Sequence, residues 1–219
     1  MKKFTTGLVI VITGAAAGIS RALALRCAQW DNSLVLLDCD EPGLASLQEE
    51  ISKKNGHASV VCCDLAQLDS IAPLGAHLAT RLDRVDWLIL GAASIGELSP
   101  IAAADNVSWG HVMTINALAN QRLLASLDPL LRRSIDAHVA LLTCPAPPRP
   151  AYWSAYQASK AAACEILKAY ADETPQITAR CIDPGKADTR LHRQAYPGIV
   201  LNRTADQAAQ HVLKHLQAA

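Results

Sequence analysis

The sequence has no excess charge of either sign, no linker, no internal repeat and no apolar run long enough to cross a bilayer. Lys+Arg and Asp+Glu both number 20, which removes the electrostatic footprint of a nucleic-acid or acidic-membrane binder and leaves a small molecule as the expected partner. A disulfide framework is missing too. The cysteines, Cys27, Cys39, Cys62, Cys63, Cys144, Cys164 and Cys181, are seven in number and show no paired CxxC spacing. Most are expected to be reduced, buried small apolar residues of a cytoplasmic protein. His211 and His215 in HVLKH share a helical face, but no third ligand is suggested nearby, so a solvated terminal helix and no metal are expected.

What is present is a chain of 219 residues, 51% hydrophobic and 18% charged, the size and composition of one domain over 1–219. Short β-branched or leucine runs alternate with stretches of helical period. LVIVIT precedes ISRALALRCAQW, SLVLLD precedes PGLASLQEEISKK, and ASVVCC precedes LDSIAPLGAHLATRL. DWLIL, a long helical segment from about Asp105 to Leu131, AHVALLT, the segment Ser154 to Ala171, ITARCI and a last helix from about Thr204 continue the series. The pattern predicts an α/β fold: a single doubly wound parallel sheet of the Rossmann type, about six strands with helices on both faces. The basic tip and apolar stretch of MKKFTTGLVIVITGAAAG outline a secretory signal, but β-branched residues running into a glycine motif favour a first strand. After the sixth strand, residues 184–203 read as a long irregular connection, the expected substrate-binding loop.

Thr13, Gly14 and Gly18 in TGAAAGIS close the first strand and open a helix, where a pyrophosphate would meet the positive helix N-terminus. Asp38 ends the second strand, placed to accept from the adenosine ribose hydroxyls and to repel a 2′-phosphate. Ala16, Ala17 and Cys39 offer no cation, so NAD is favoured over NADP. Asp is also common in turns, and DCDEPG would suit one. Asp64, followed by Leu65, stands one strand farther out, where an adenine amino group could be met. Tyr156 and Lys160 in YQASK share a helix face, and an ammonium beside a phenol is expected to lower its pKa from about 10 toward the working range. Thr143 ends the fifth strand with a hydroxyl at the sheet's carboxyl edge.

Together these residues resemble the short-chain dehydrogenase/reductase family over nearly the whole chain. Thr13, Gly14, Gly18 and Ile19 match its glycine motif, Tyr156 and Lys160 its Tyr-x-x-x-Lys, Asn116 its helix-four asparagine, and Pro184, Gly185 and Thr189 its Pro-Gly with a following threonine. The resemblance implies that Tyr156 exchanges a proton with the substrate oxygen and Lys160 holds the nicotinamide ribose and tunes the tyrosine. Asn116 would support a water-linked relay, Thr143 would orient the carbonyl or alcohol, and Thr189 would contact the carboxamide. Ala16, Ile19, Gly91, Ala92, Ala93, Pro184 and Gly185 would frame the cofactor. The implied function is an NAD-dependent oxidoreductase interconverting a secondary alcohol and a ketone, a homodimer through the helices of Asn116 and Tyr156, with a tetramer less expected.

The chain departs from the family pattern at four places. Ser20 stands for the third glycine, Gly91-Ala92-Ala93 for Asn-Ala-Gly, and Thr143 for serine; the sheet is expected to end at strand six, where the family usually adds a seventh. Four prolines in CPAPPRP would fix the loop around Arg149, and Arg190, His192 and Arg193 would suit an anionic substrate or a solvated surface. These departures motivate the alternative of a catalytically impaired dinucleotide-binding regulatory or scaffold protein of the same fold.

Overall fold

A computed structural model describes residues 7–144 and 151–217, leaving the proline-rich loop with Arg149 and the basic N-terminal tip outside the described residues. Six strands, β1 (Val9–Thr13), β2 (Ser33–Asp38), β3 (His57–Cys62), β4 (Trp87–Leu90), β5 (Ala137–Leu142) and β6 (Ile177–Ile182), form one sheet in the order β3-β2-β1-β4-β5-β6. Every neighbouring pair is parallel. The chain winds outward from β1 to β3, then returns to place β4 against β1, which creates a switch point whose carboxyl edge is the expected ligand crevice.

Alternate residues of each strand feed two core layers, the period-2 consequence of pleating. Val11, Val35, Leu88, Val139 and Leu141 pack toward α3 (Leu68–Ala79), α5 (Ala119–Leu131) and α6 (Ser154–Glu173). Ile10, Ile12, Leu36, Ile89 and Leu142 pack toward α1 (Gly18–Cys27), α2 (Glu41–Lys53) and α8 (Ala205–Gln217). Burial on both faces of β1, β2, β4 and β5 explains why those strands read as continuous apolar runs.

The segment expected as one helix is continuous but changes pitch: α4 (Asn106–Met113) passes through a π turn (Thr114–Leu118) into α5. Such a widened turn re-aims side chains within a helix, and here it carries Asn116. The connection expected to be irregular holds a short helix, α7 (Arg190–Ala195), because Thr189 Oγ1 accepts from His192 N–H at 3.2 Å and caps it.

One expectation fails. Only Cys27 and Cys63 are buried, Cys144 and Cys164 are half-buried, and Cys39, Cys62 and Cys181 are exposed. Cys62 and Cys181 lie on the two edge strands, and Cys39 and Cys144 follow the carboxyl ends of β2 and β5, where no helix covers the sheet.

Candidate active site

The turn after β1 is shaped by close backbone approach. Gly14 has φ +67°, and an added Cβ would stand 2.7 Å from Ala92 Cα and 2.9 Å from Ala92 N, so only glycine fits. Ala16 N–H donates to Asp38 Oδ2 at 3.0 Å and Ala15 N–H to Leu37 O at 3.1 Å, which fasten the turn to the end of β2. Asp38 Oδ1 accepts from Asp40 N–H at 3.0 Å, so the carboxylate braces both loops. The N-terminus of α1 has no capping side chain and no acidic residue in its first turn, which leaves its N–H groups open to an anion. Asp64 is exposed and accepts from Ala66 N–H at 2.9 Å, while Leu65 is buried beside it.

Thr13 is fully buried and acts as a tie between strands rather than as a lining residue. Its Oγ1 accepts from Gly91 N–H at 3.0 Å and Ala92 N–H at 3.2 Å, bonding β1 to the loop after β4. An added Cβ on Gly91 would run into Ser20 Oγ. Two departures from the family pattern are therefore one feature: the serine at the third-glycine position occupies the space beside a residue that has lost its side chain.

Tyr156 and Lys160 meet at the carboxyl edge of β5, both buried, with Lys160 Nζ 5.8 Å from the Tyr156 ring centroid. The ammonium donates to Leu142 O, the last residue of β5, at 2.9 Å. Burial lowers the Lys160 pKa to about 8. The Tyr156 phenol is pushed above its ordinary value by burial and by the charge of Cys144, the reverse of the sequence expectation. Desolvation of the phenol dominates, and the ammonium is turned to a carbonyl.

Asn116 is fully buried in the π turn. Its Nδ2 donates to Ser94 O at 2.8 Å and Ser159 Oγ at 2.9 Å, and its Oδ1 accepts from Ser94 N–H at 2.8 Å. Both amide hydrogens are spent, so none remains for a relay water. Ser159 passes the bond on to Tyr156 O at 2.8 Å. Ser94 and Ser159 were not singled out from the sequence; the signal was a serine directly before the lysine of YQASK.

The Thr143 hydroxyl is engaged by Cys164, and its chain neighbour Leu142 holds Lys160. Thr143 Oγ1 accepts from the Cys164 thiol at 3.4 Å, and Cys164 lies eight residues beyond Tyr156 on α6, about 12 Å of helix. Cys144 Sγ, on the next residue, lies 3.9 Å from Gln157 Oε1.

The connection 184–203 closes over this edge. Gly18 faces Thr189, whose hydroxyl is occupied in capping α7. Pro184 is buried, and an added Cβ on Gly185 would run into the Arg203 guanidinium. Trp153 meets Tyr156 edge-on and Tyr196 at a tilt, at centroid distances of 5.6 and 5.4 Å, and His192 lies 5.1 Å from Tyr196. Arg193 is bound to Asp188 at 2.7 and 2.8 Å, so it is committed within the loop. A small cleft between the start of α4 and the start of α6 is lined by Ser99, Asp105, Trp109, Ser154 and Ala155.

The sequence profile of the short chain dehydrogenases matches residues 8–199. The chain belongs to that family. The uncharacterised oxidoreductase YciK of Escherichia coli K12 is 29% identical over 195 residues, covering 86% of this chain and 77% of that protein. A solved structure described as a short chain dehydrogenase of Pseudomonas syringae superposes with a TM-score of 0.89 at 32% identity, covering 97% of this chain and 89% of that one. Another from Escherichia coli CFT073, complexed with NADPH, gives a TM-score of 0.88 at 26% identity over 97% of this chain and 91% of that one. The chain is thus an oxidoreductase of the family acting on CH–OH groups with a nicotinamide dinucleotide.

Proposed function

We propose that the protein interconverts a secondary alcohol and a ketone, using NAD and Tyr156 as the acid and base. The observation that carries this reading is the buried Tyr156–Lys160 pair at the carboxyl edge where the glycine turn opens. The bound dinucleotide would supply or accept the hydride. The uncapped N-terminus of α1 would hold its pyrophosphate, with Gly18 and Ile19 at the turn, and Gly91, Ala92, Ala93, Pro184, Gly185 and Thr189 would frame its nicotinamide half. Burial keeps the Tyr156 phenol protonated, ready to donate to a substrate oxygen as that oxygen gains charge. The Lys160 ammonium stabilises the phenolate left behind and has donors to spare for a ribose after serving Leu142 O. Asn116 and Ser159 hold the helical turn that carries Tyr156, positioning it without touching substrate.

Asp38 supports NAD: each of its oxygens keeps a lone pair for a ribose hydroxyl, and its charge opposes a 2′-phosphate. The NADPH held by the Escherichia coli CFT073 protein weighs the other way. Residues 184–203 would form the substrate loop, with Trp153 and Tyr196 as an aromatic wall beside Tyr156. Exposed Leu118, Ala158 and Ala161 lie on the helices through which a second copy would pair. The free thiols suit the cytoplasm, and no described helix is long and apolar enough to cross a membrane. The impaired-scaffold alternative loses ground because Ser20 and Gly91 are matched in volume and Thr13 ties the central strands.

Tyr156→Phe tests the reading. Turnover of a carbonyl panel with NADH should vanish while dinucleotide binding persists; full activity in the variant refutes it. NADPH binding tighter than NADH would overturn the NAD assignment alone.

A further inference from the structure

Two of the cysteines that escape burial face each other behind the catalytic pair. Cys181 on β6 is in register with Leu141 on β5, whose side chain lies in the core layer that contains Ala163 and Leu167 of α6. Cys181 is therefore directed at the same helix face as Cys164, which packs against that layer, and the two thiols are close enough to perturb each other's ionisation. Cys164 also bonds to Thr143 Oγ1 at 3.4 Å. Because β6 is the last strand of the sheet, Cys181 is exposed and within reach of small solutes.

We infer that Cys164 and Cys181 are a hydroperoxide-oxidisable thiol pair whose disulfide ties α6 to β6 beside the strand end that anchors Lys160. Cys164 is the attacking sulfur: the Cys181 thiol and the Lys160 and Lys168 ammonium groups favour its thiolate, toward which the Thr143 hydroxyl can then turn its own proton, whereas Cys181 is held as the thiol. The Cys164 thiolate attacks the peroxide O–O bond, giving a sulfenic acid and, after protonation of the leaving oxygen, water or an alcohol. Cys181 then attacks the sulfenic sulfur, forming the S–S bond and releasing water, so the two electrons reducing the peroxide come from the pair. Thr143 is the neighbour of Leu142, whose carbonyl holds Lys160 Nζ, and Lys160 is one helical turn from Cys164. The linkage thus bears on the lysine's anchor, and its effect on turnover rests on the reaction proposed above.

The full-length reduced protein is treated with hydrogen peroxide, free thiols are blocked with N-ethylmaleimide, and tryptic peptides are mapped. A dithiothreitol-reversible link between the peptides 161–168 and 181–186 is expected. In Cys181→Ser no link should form and dimedone should trap the Cys164 sulfenic acid. A Cys164 that stays open to N-ethylmaleimide after peroxide, or a link to a different cysteine, overturns the inference. Turnover should fall about a hundredfold as the link forms in the native chain and hold in Cys181→Ser; a link with unchanged turnover overturns the coupling to Lys160. A chain that forms the link but reduces no carbonyl in its thiol form counts against the proposed reaction and leaves the thiol pair standing.

Discussion

If Ser20 and Gly91 share one volume, their substitutions must couple. Gly91 has an ordinary negative-φ backbone, since it is absent from the residues with positive φ, so adding a methyl tests space and not backbone strain. In Gly91→Ala the new Cβ collides with Ser20 Oγ and presses on Thr13 O at 3.1 Å and Leu142 Cδ1 at 3.2 Å. The last two contacts yield with shifts of a few tenths of an ångström, so Ser20 carries most of the cost. Overpacking of this kind costs about 1–3 kcal/mol, which for a chain of this length lowers Tm by roughly 2–4 °C per kcal/mol. Ser20→Gly alone loses about 0.5 kcal/mol of helix propensity. Together the two changes should cost less than their sum, with a coupling of about 1–2 kcal/mol, inside the range for residues in contact. Urea unfolding of the four proteins of the cycle, without dinucleotide, measures it. Additivity within about 0.5 kcal/mol would refute the shared volume. The same cycle with Gly91→Asn, the family's residue, should show a larger coupling.

Lys160→Met removes an ammonium whose folded pKa is about 8 against an unfolded 10.5. Below pH 8 both states of the native chain hold the proton and the folded state bears the burial cost; between pH 8 and 10.5 only the unfolded chain stays protonated, so native stability rises with pH by about 3 kcal/mol at most. Denaturation of native and variant protein at pH 7 and pH 10 should show the native gaining on the variant, and parallel pH profiles would contradict the argument. Asn116→Ala leaves the Ser94 N–H and C=O without their partner and should cost about 1–3 kcal/mol per unsatisfied group, read as a lower urea midpoint together with a fall in kcat. Thr13→Val keeps the shape but strands the N–H groups of Gly91 and Ala92, and should lower stability by a similar amount; an unchanged midpoint would show that the tie carries no weight.

The order of strands and helices was legible because the four inner strands are buried on both faces and so read as apolar runs, while the helices between keep their period. Pitch and contact were not. Nothing in TINALAN announces a π turn, since the widening depends on what Asn116 binds across space, the Ser94 backbone. Thr143 sits at the right spacing before Tyr156, yet which way a side chain turns just past a strand end is set by its neighbours, here Cys164. The tyrosine's raised pKa was missed because spacing puts an ammonium near a phenol but says nothing of how dry the phenol is. Ser20 and Gly91 looked like two separate losses for the same reason: seventy-one positions apart in the chain, they are adjacent only when β1 and β4 pair.

Asp38 has a consequence for anyone redesigning this enzyme's coenzyme choice. The acid that would turn away a 2′-phosphate is also the clasp on Ala16 N–H and Asp40 N–H. Exchanging it for a neutral residue would loosen the turn proposed to hold the pyrophosphate while it removed the charge opposed to a 2′-phosphate, so on that proposal selectivity and grip would change together at this position. A change of coenzyme would have to begin elsewhere, with a cation brought in at Cys39 or Ala17 while the aspartate is kept.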